Sequence, residues 1–164
     1  MGMGFGKLKV TPLVVVCLGF TMLVSLQLGS VNGQAATGLT FTHTPTGYDT
    51  QTGAFTLGVQ AYGEGFYDKL CIAYDYFQFN VTSGQGVDGQ ANSRGQVISY
   101  VFLTSSQFRT FDGGAQNCYI TFGSAQVQSF SSPTTLNWTS PEAGQYALVF
   151  FTRTFYPGPV YFTQ

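Results

Sequence analysis

Catalysis starts from groups that can hold or move a proton, and this chain offers few of them. Its single histidine, His43, sits in Thr-His-Thr-Pro. No acid adjoins it, and no Gly-x-Ser-x-Gly elbow exists for it to serve. It reads as a polar strand or loop residue. Glu64, Asp68 and Asp75 could in principle supply the carboxyl pair of a glycosidase. Nothing in their spacing sets two of them across a bond, so they read as solvated charges. Asp112-Gly113-Gly114 has loop oxygens for a cation but lacks the EF-hand or repeat pattern. Two cysteines and one distant histidine do not make a zinc set. The residues therefore assign no catalytic group, no metal and no cofactor.

Surface chemistry is the stronger signal. Tyr74, Tyr76 and Tyr100 fall in strand-like runs and are expected to line one outer sheet face, as candidate binding residues. Exposed rings on a sheet can stack on sugars or become a protein interface. Two sequons, Asn80-Val-Thr82 and Asn137-Trp-Thr139, make Asn80 and Asn137 candidate glycosylation sites. Both lie where a strand ends or turns.

These residues need an exported scaffold, and the N-terminus supplies the address. Lys7 and Lys9 precede the apolar run Leu13–Leu28, which ends in Gly33-Gln34-Ala35-Ala36. A basic start, an apolar core and a small-x-small site form a secretory signal. Residues 1–35 are thus a cleaved leader or a retained N-terminal anchor, and the mature chain begins near Ala36. Any membrane contact is through an uncleaved leader. Gly6 stands where N-myristoylation wants Ser or Thr. Cys17 follows bulky Val16 and reads as part of the apolar core. Cys71 and Cys118 then remain, and an even pair in an exported chain reads as a disulfide.

The mature part, 36–164, has period-two patterning cut by Gly, Pro, Asn and Ser clusters. Strands are expected near 39–44, 54–62, 70–81, 96–103, 117–122, 125–131, 134–138, 145–153 and 159–163. In Ile72–Val81, Phe77, Phe79 and Val81 share one face, with Tyr74, Tyr76, Gln78 and Asn80 on the other. The run 96–103 is nearly all apolar and predicts a central strand. Residues 83–95 hold four glycines and predict an exposed connection. Thr104 or Ser105 can cap one short helix, with Phe108 and Phe111 on its buried face. Leu136–Phe151 reads as strand, tight turn at Pro141 and Gly144, strand. The expected fold is all-β: an antiparallel β-sandwich, such as a jelly roll, with one short helix after an N-terminal signal helix.

Composition narrows the partners. Charged residues make up 8% of the chain, against roughly 25% in an average soluble protein. Beyond residue 36 the cations are Lys69, Arg94, Arg109 and Arg153, four against seven acids, a net of −3. Nucleic-acid binding needs a basic footprint, and four scattered cations are not one.

Three stretches carry a family resemblance: Tyr76–Val81, Tyr100–Phe108 and Trp138–Phe150. Their aromatics, the Gln-Phe turn and the Pro-x-x-Gly-x-Tyr run resemble GOLD-like (Golgi-dynamics-type) β-sandwich domains of exported archaeal and bacterial proteins. The resemblance covers about 70–164 and departs from the pattern at Thr152-Arg153. It implies protein contact, cargo handling or surface display rather than catalysis. The expectation is a secreted or cell-surface domain, not an enzyme, that binds a protein or glycan. The alternative is self-association, as a filament or coat subunit whose residues 36–44 complete a neighbour's sheet.

Overall fold

The computed structural model describes residues 39–62, 70–154 and 157–164. The leader expected over 1–35, the boundary at 36, Glu64 and Asp68 lie outside them. Ten strands and one helix follow in order: β1 (Phe41–His43), β2 (Ala54–Phe55), β3 (Val59–Tyr62), β4 (Leu70–Val81), β5 (Gly86–Asn92), β6 (Ile98–Thr104), α1 (Ser105–Ala115), β7 (Gln128–Phe130), β8 (Thr134–Thr139), β9 (Gly144–Thr152) and β10 (Val160–Thr163).

They build two antiparallel sheets. Sheet A runs β1-β4-β9-β6-β7, with β3 also along β4, and sheet B runs β2-β10-β5-β8. β1 and β3 lie end to end on one side of β4, β1 against its second half and β3 against its first. Set those two aside, and the other eight strands wind as a jelly roll, 2-10-5-8 in one layer and 4-9-6-7 in the other.

Sheet A has an apolar inner face and an apolar outer face, because it is covered on both. Phe77, Phe79, Tyr146, Leu148 and Phe150 face sheet B and meet Phe55, Val87, Leu136 and Phe162 there. Rings pack edge to face, as their quadrupoles favour: Phe77 stands 5.0 Å from Phe162 and 5.4 Å from Phe55. Ile72, Tyr74, Val101, Leu103, Ala147, Val149 and Phe151 face outward and are covered by Phe108, Phe111 and Ala115 of α1. The helix starts where the sequence says it should. Thr104 accepts the Gln107 N–H, and the Gln107 side chain returns to the Thr104 N–H, a capping box.

Four expectations need correction. The stretch 54–62 is two strands, because Thr56–Gly58 carries the chain from sheet B to sheet A. The expected loop 83–95 contains β5, the inner strand that joins β10 to β8. Its Val87, Gly89 and Ala91 point inward, and Gly89 is there for room rather than flexibility. A Cβ on it would lie 2.6 Å from the Thr163 carbonyl oxygen and 2.8 Å from the Phe162 ring. Residues 117–122 are not a strand. The Asn117 and Tyr119 N–H groups close the helix end onto the Gly114 carbonyl, and Cys118 takes a left-handed φ of 63°. Finally, β8 and β9 are not a paired hairpin. The bend at 140–143 carries the chain between sheets, so Trp138 and Tyr146 meet across the sandwich at 4.8 Å.

Candidate functional site

β7 pairs with β6 only at Ile98, Ser99 and Tyr100. Beyond Tyr100 the flank of the sandwich is open, and β8 is the edge strand of sheet B on the same side. A cleft of about 280 Å³ results. Its walls are Tyr100 and Phe102 of β6, Ala125, Gln126 and Gln128 leading into β7, and Asn137 and Trp138 of β8.

Each wall is held from beneath. Phe102 and Trp138 stack almost parallel, 4.6 Å between centroids and 4° between planes. Trp138 is also wedged by Tyr146 and Phe79. The Tyr100 hydroxyl donates to Gln128 Oε1 at 2.5 Å, which fixes the amide and turns its NH₂ away from that bond. Burial holds the Tyr100 phenol above its ordinary pKa, so it stays a neutral donor. The cleft thus offers ring surface, three amides and one neutral phenol. Among the described residues no carboxylate, imidazole, thiol or amine lines it. What it presents to a ligand is ring surface and neutral hydrogen-bonding groups.

The three tyrosines do not share an outer face. Tyr74 is 1% exposed beneath α1, and its hydroxyl donates to the Asp112 carboxylate. Burial first, and then Asp112, push its pKa up. Tyr76 is half-buried between His43 at 4.2 Å and Phe108 at 4.4 Å. Burial raises its pKa too. Tyr100 is 5% exposed and points the other way, toward sheet B. The register explains the split: Tyr74 sits opposite Phe151 and Tyr100 opposite Phe150. Adjacent positions on one strand face opposite sides. Among the described residues the exposed tyrosine is Tyr119, at 79%.

The remaining candidates fall apart as a site. His43 belongs to β1 and rests on Tyr76. Asp75 is 4% exposed and accepts the Tyr76 N–H at 2.8 Å and the Gly58 N–H at 3.3 Å. Burial raises its pKa against those two bonds. Asp112 and its two glycines are helical, in α1, rather than a loop that could wrap a cation. Among the described residues no group of three His, Cys, Asp or Glu could hold a metal. Asn80 and Asn137 are exposed, as are Thr82 and Thr139 of their sequons. Cys71 and Cys118 are bonded, with Cα atoms 5.4 Å apart.

Sequence reasoning missed Phe102, Gln126 and Gln128, and it named Trp138 only within a sequon and the family resemblance. The signal was thin. The two glutamines flank Val127 in a polar stretch like any other, and only the short β7 turns them toward a cleft. No family model matches the chain, and neither a curated protein nor a solved structure does.

Proposed function

We propose that this is a secreted or cell-surface β-sandwich that works by binding a protein or glycan partner rather than by catalysis. The observation that carries this reading is the open-flank cleft, where ring faces and amides converge without an acid–base pair. An exported chain with so few charges, solvated by Thr, Ser, Gln and Asn, fits the same reading. So does the protein-contact role implied by the GOLD-like resemblance. Asn80, exposed near the end of β4, is then a glycosylation site, whereas Asn137 lies within β8 and lines the cleft.

Self-association by strand exchange has less to draw on. β1 pairs with its own β4, and Phe41 packs within 4.9 Å of Phe77 and 6.3 Å of Phe162. Exchange of 36–44 would first have to pull that ring out of the core.

The test is an array of glycans and secreted proteins probed with the labelled full chain and with a cleft-blocking variant, Gln126→Trp. Retention that the variant abolishes supports a recognition cleft. Retention that the variant leaves intact, or turnover of any arrayed substrate, overturns the reading.

A further inference from the structure

The cleft has a chemical character of its own, and it points to a class of ligand. Its polar groups are the amides of Gln126, Gln128 and Asn137, each both donor and acceptor. Paired donors and acceptors match a hydroxyl, which also does both. Charged ligands find no counter-charge in the lining, and burying an unpaired charge there is costly. The stacked Phe102–Trp138 pair covers the facing sides of its own rings and leaves the cleft their partly exposed outer surface, apolar and suited to the C–H groups of a sugar. Size argues the same way. A stable protein interface buries about 800 Å² on each partner. A 280 Å³ slot admits a ring-sized group, not a surface of that extent.

We propose that the cleft between Tyr100, Phe102, Gln126, Gln128 and Trp138 binds an uncharged polysaccharide, seating a sugar ring against the Phe102–Trp138 wall. This rests on the recognition reading above and names its ligand. The cleft is open along the edge of β8, so a longer glycan can continue out of it in either direction. Gln128, already oriented by Tyr100, is the specificity-determining amide; Gln126, exposed at the rim, adds a second contact. Asn137 lies on that rim as well, so a glycan attached to it and a ligand in the cleft compete for the same space.

Trp138 is the only tryptophan in the chain, so its fluorescence and its indole N–H resonance come from the cleft wall. The full chain, made in a host that adds no N-glycans, is titrated with cellohexaose, mannohexaose, laminarihexaose and chitohexaose, and with hexagalacturonate as the acidic control. At least one neutral hexasaccharide is expected to shift the Trp138 signals saturably, with hexagalacturonate far weaker. Gln126→Ala and Gln128→Ala are each expected to raise Kd about tenfold, the loss of a hydrogen-bonding partner at a desolvated contact. Their melting temperatures check that the fold is kept. A flat Trp138 response to all four neutral probes overturns the proposal, as does hexagalacturonate binding as well as they do. If an arrayed protein then moves the Trp138 signals, the cleft is a recognition site with a protein ligand and only the sugar assignment falls. If nothing that binds the chain moves them, both readings fall.

Discussion

Sheet A is covered on both faces, whereas sheet B presents its outer face to water, and their strands differ accordingly. β9, at the centre of sheet A, is buried at every position from Tyr146 to Thr152. It shows no alternation because neither side is wet. β8, at the edge of sheet B, alternates: Leu136 is buried between exposed Thr135 and Asn137. β5 does the same, with Val87, Gly89 and Ala91 buried and Asp88 and Gln90 exposed. A strand's periodicity therefore records how many layers cover it. Two apolar layers lie on sheet A and one on sheet B, with α1 as the extra cover.

If the two layers on sheet A form one cooperative unit, a hole in either should be felt globally. Phe150 lies between the sheets, 5.4 Å from Phe55 and 5.7 Å from Phe162. Phe111 lies under the helix, 5.1 Å from Tyr74 and 5.6 Å from Phe122. Both rings are fully buried. Phe150→Ala and Phe111→Ala are each expected to cost about 3–5 kcal/mol in urea unfolding, which approaches the whole stability of a small domain. A sharp contrast would break the symmetry. If Phe111→Ala leaves the main transition in place and adds a separate early one, the helix layer is a subdomain of its own.

The disulfide ties that layer to the sheet, from Cys71 in β4 to Cys118 just beyond α1. It spans 47 residues, and loop entropy puts its stabilisation at up to about 4 kcal/mol. Reduction, or Cys71→Ser with Cys118→Ser, is expected to lower the unfolding midpoint by a corresponding amount. Hydrogen exchange should show α1 loosening before β5 and β8. Thiol labelling of the untreated protein should find neither Cys71 nor Cys118 reactive.

The same contrast shows what was legible in the residues. β4 was read to its bounds, because a long run of alternating rings between turn residues has one natural interpretation. The helix start was legible to within a residue, at Thr104 or Ser105, since capping is a local device; Gln107 completes the box on Thr104. β5 was not, because Gly86 and Gly89 look like turn residues. Their absent side chains answer a crowding that only the partner strands create. The sheet to which β8 and β9 each belong was hidden for a related reason. Pro141 and Gly144 announce a turn, but whether a turn pairs two strands or hands the chain to another layer is decided by distant partners. Tyr100 was set on the wrong face because strand register, not local pattern, fixes its side relative to Tyr74. The cleft was unreadable in advance, since it exists where β7 stops short of β6.

Asp75 tests the covered face of sheet A by charge rather than by volume. It sits opposite Phe150 in the register, and burial raises its pKa above the ordinary carboxylate value. Between the ordinary carboxylate value and the raised one, the folded chain binds a proton that the unfolded chain has released. Stability from this group is greatest below the ordinary carboxylate range and falls as pH rises through the raised value. Asp75→Asn keeps an acceptor for the Tyr76 and Gly58 N–H groups and removes the charge. The variant should equal or exceed the parent in stability at neutral pH and lose the downward slope in that window. Paired melts from pH 4 to 8 would show it, and an unchanged slope would place the titrating group elsewhere.

The smallest expected effect lies on the bare face of sheet B, and it is the sharpest check of the layer argument. Thr135 is exposed on β8 opposite Gln90, and Thr163 follows on β10 in the same row. A lysine at 135 keeps its ammonium in water and removes only a short side chain's contacts. Thr135→Lys is expected to change stability by no more than about 0.5 kcal/mol, as surface substitutions usually do. Val149 holds a comparable mid-strand place in sheet A but faces α1 and is fully buried. Val149→Lys forces an ammonium into the apolar layer under the helix, and should prevent folding or detach the helix layer. Thermal melts of the two variants therefore separate a covered outer face from a wet one. If Thr135→Lys proves as damaging as Val149→Lys, the outer face of sheet B is not bare in the native protein. Its Thr, Gln and Asn rows then pack against something, and the search for a partner moves from the cleft to that surface.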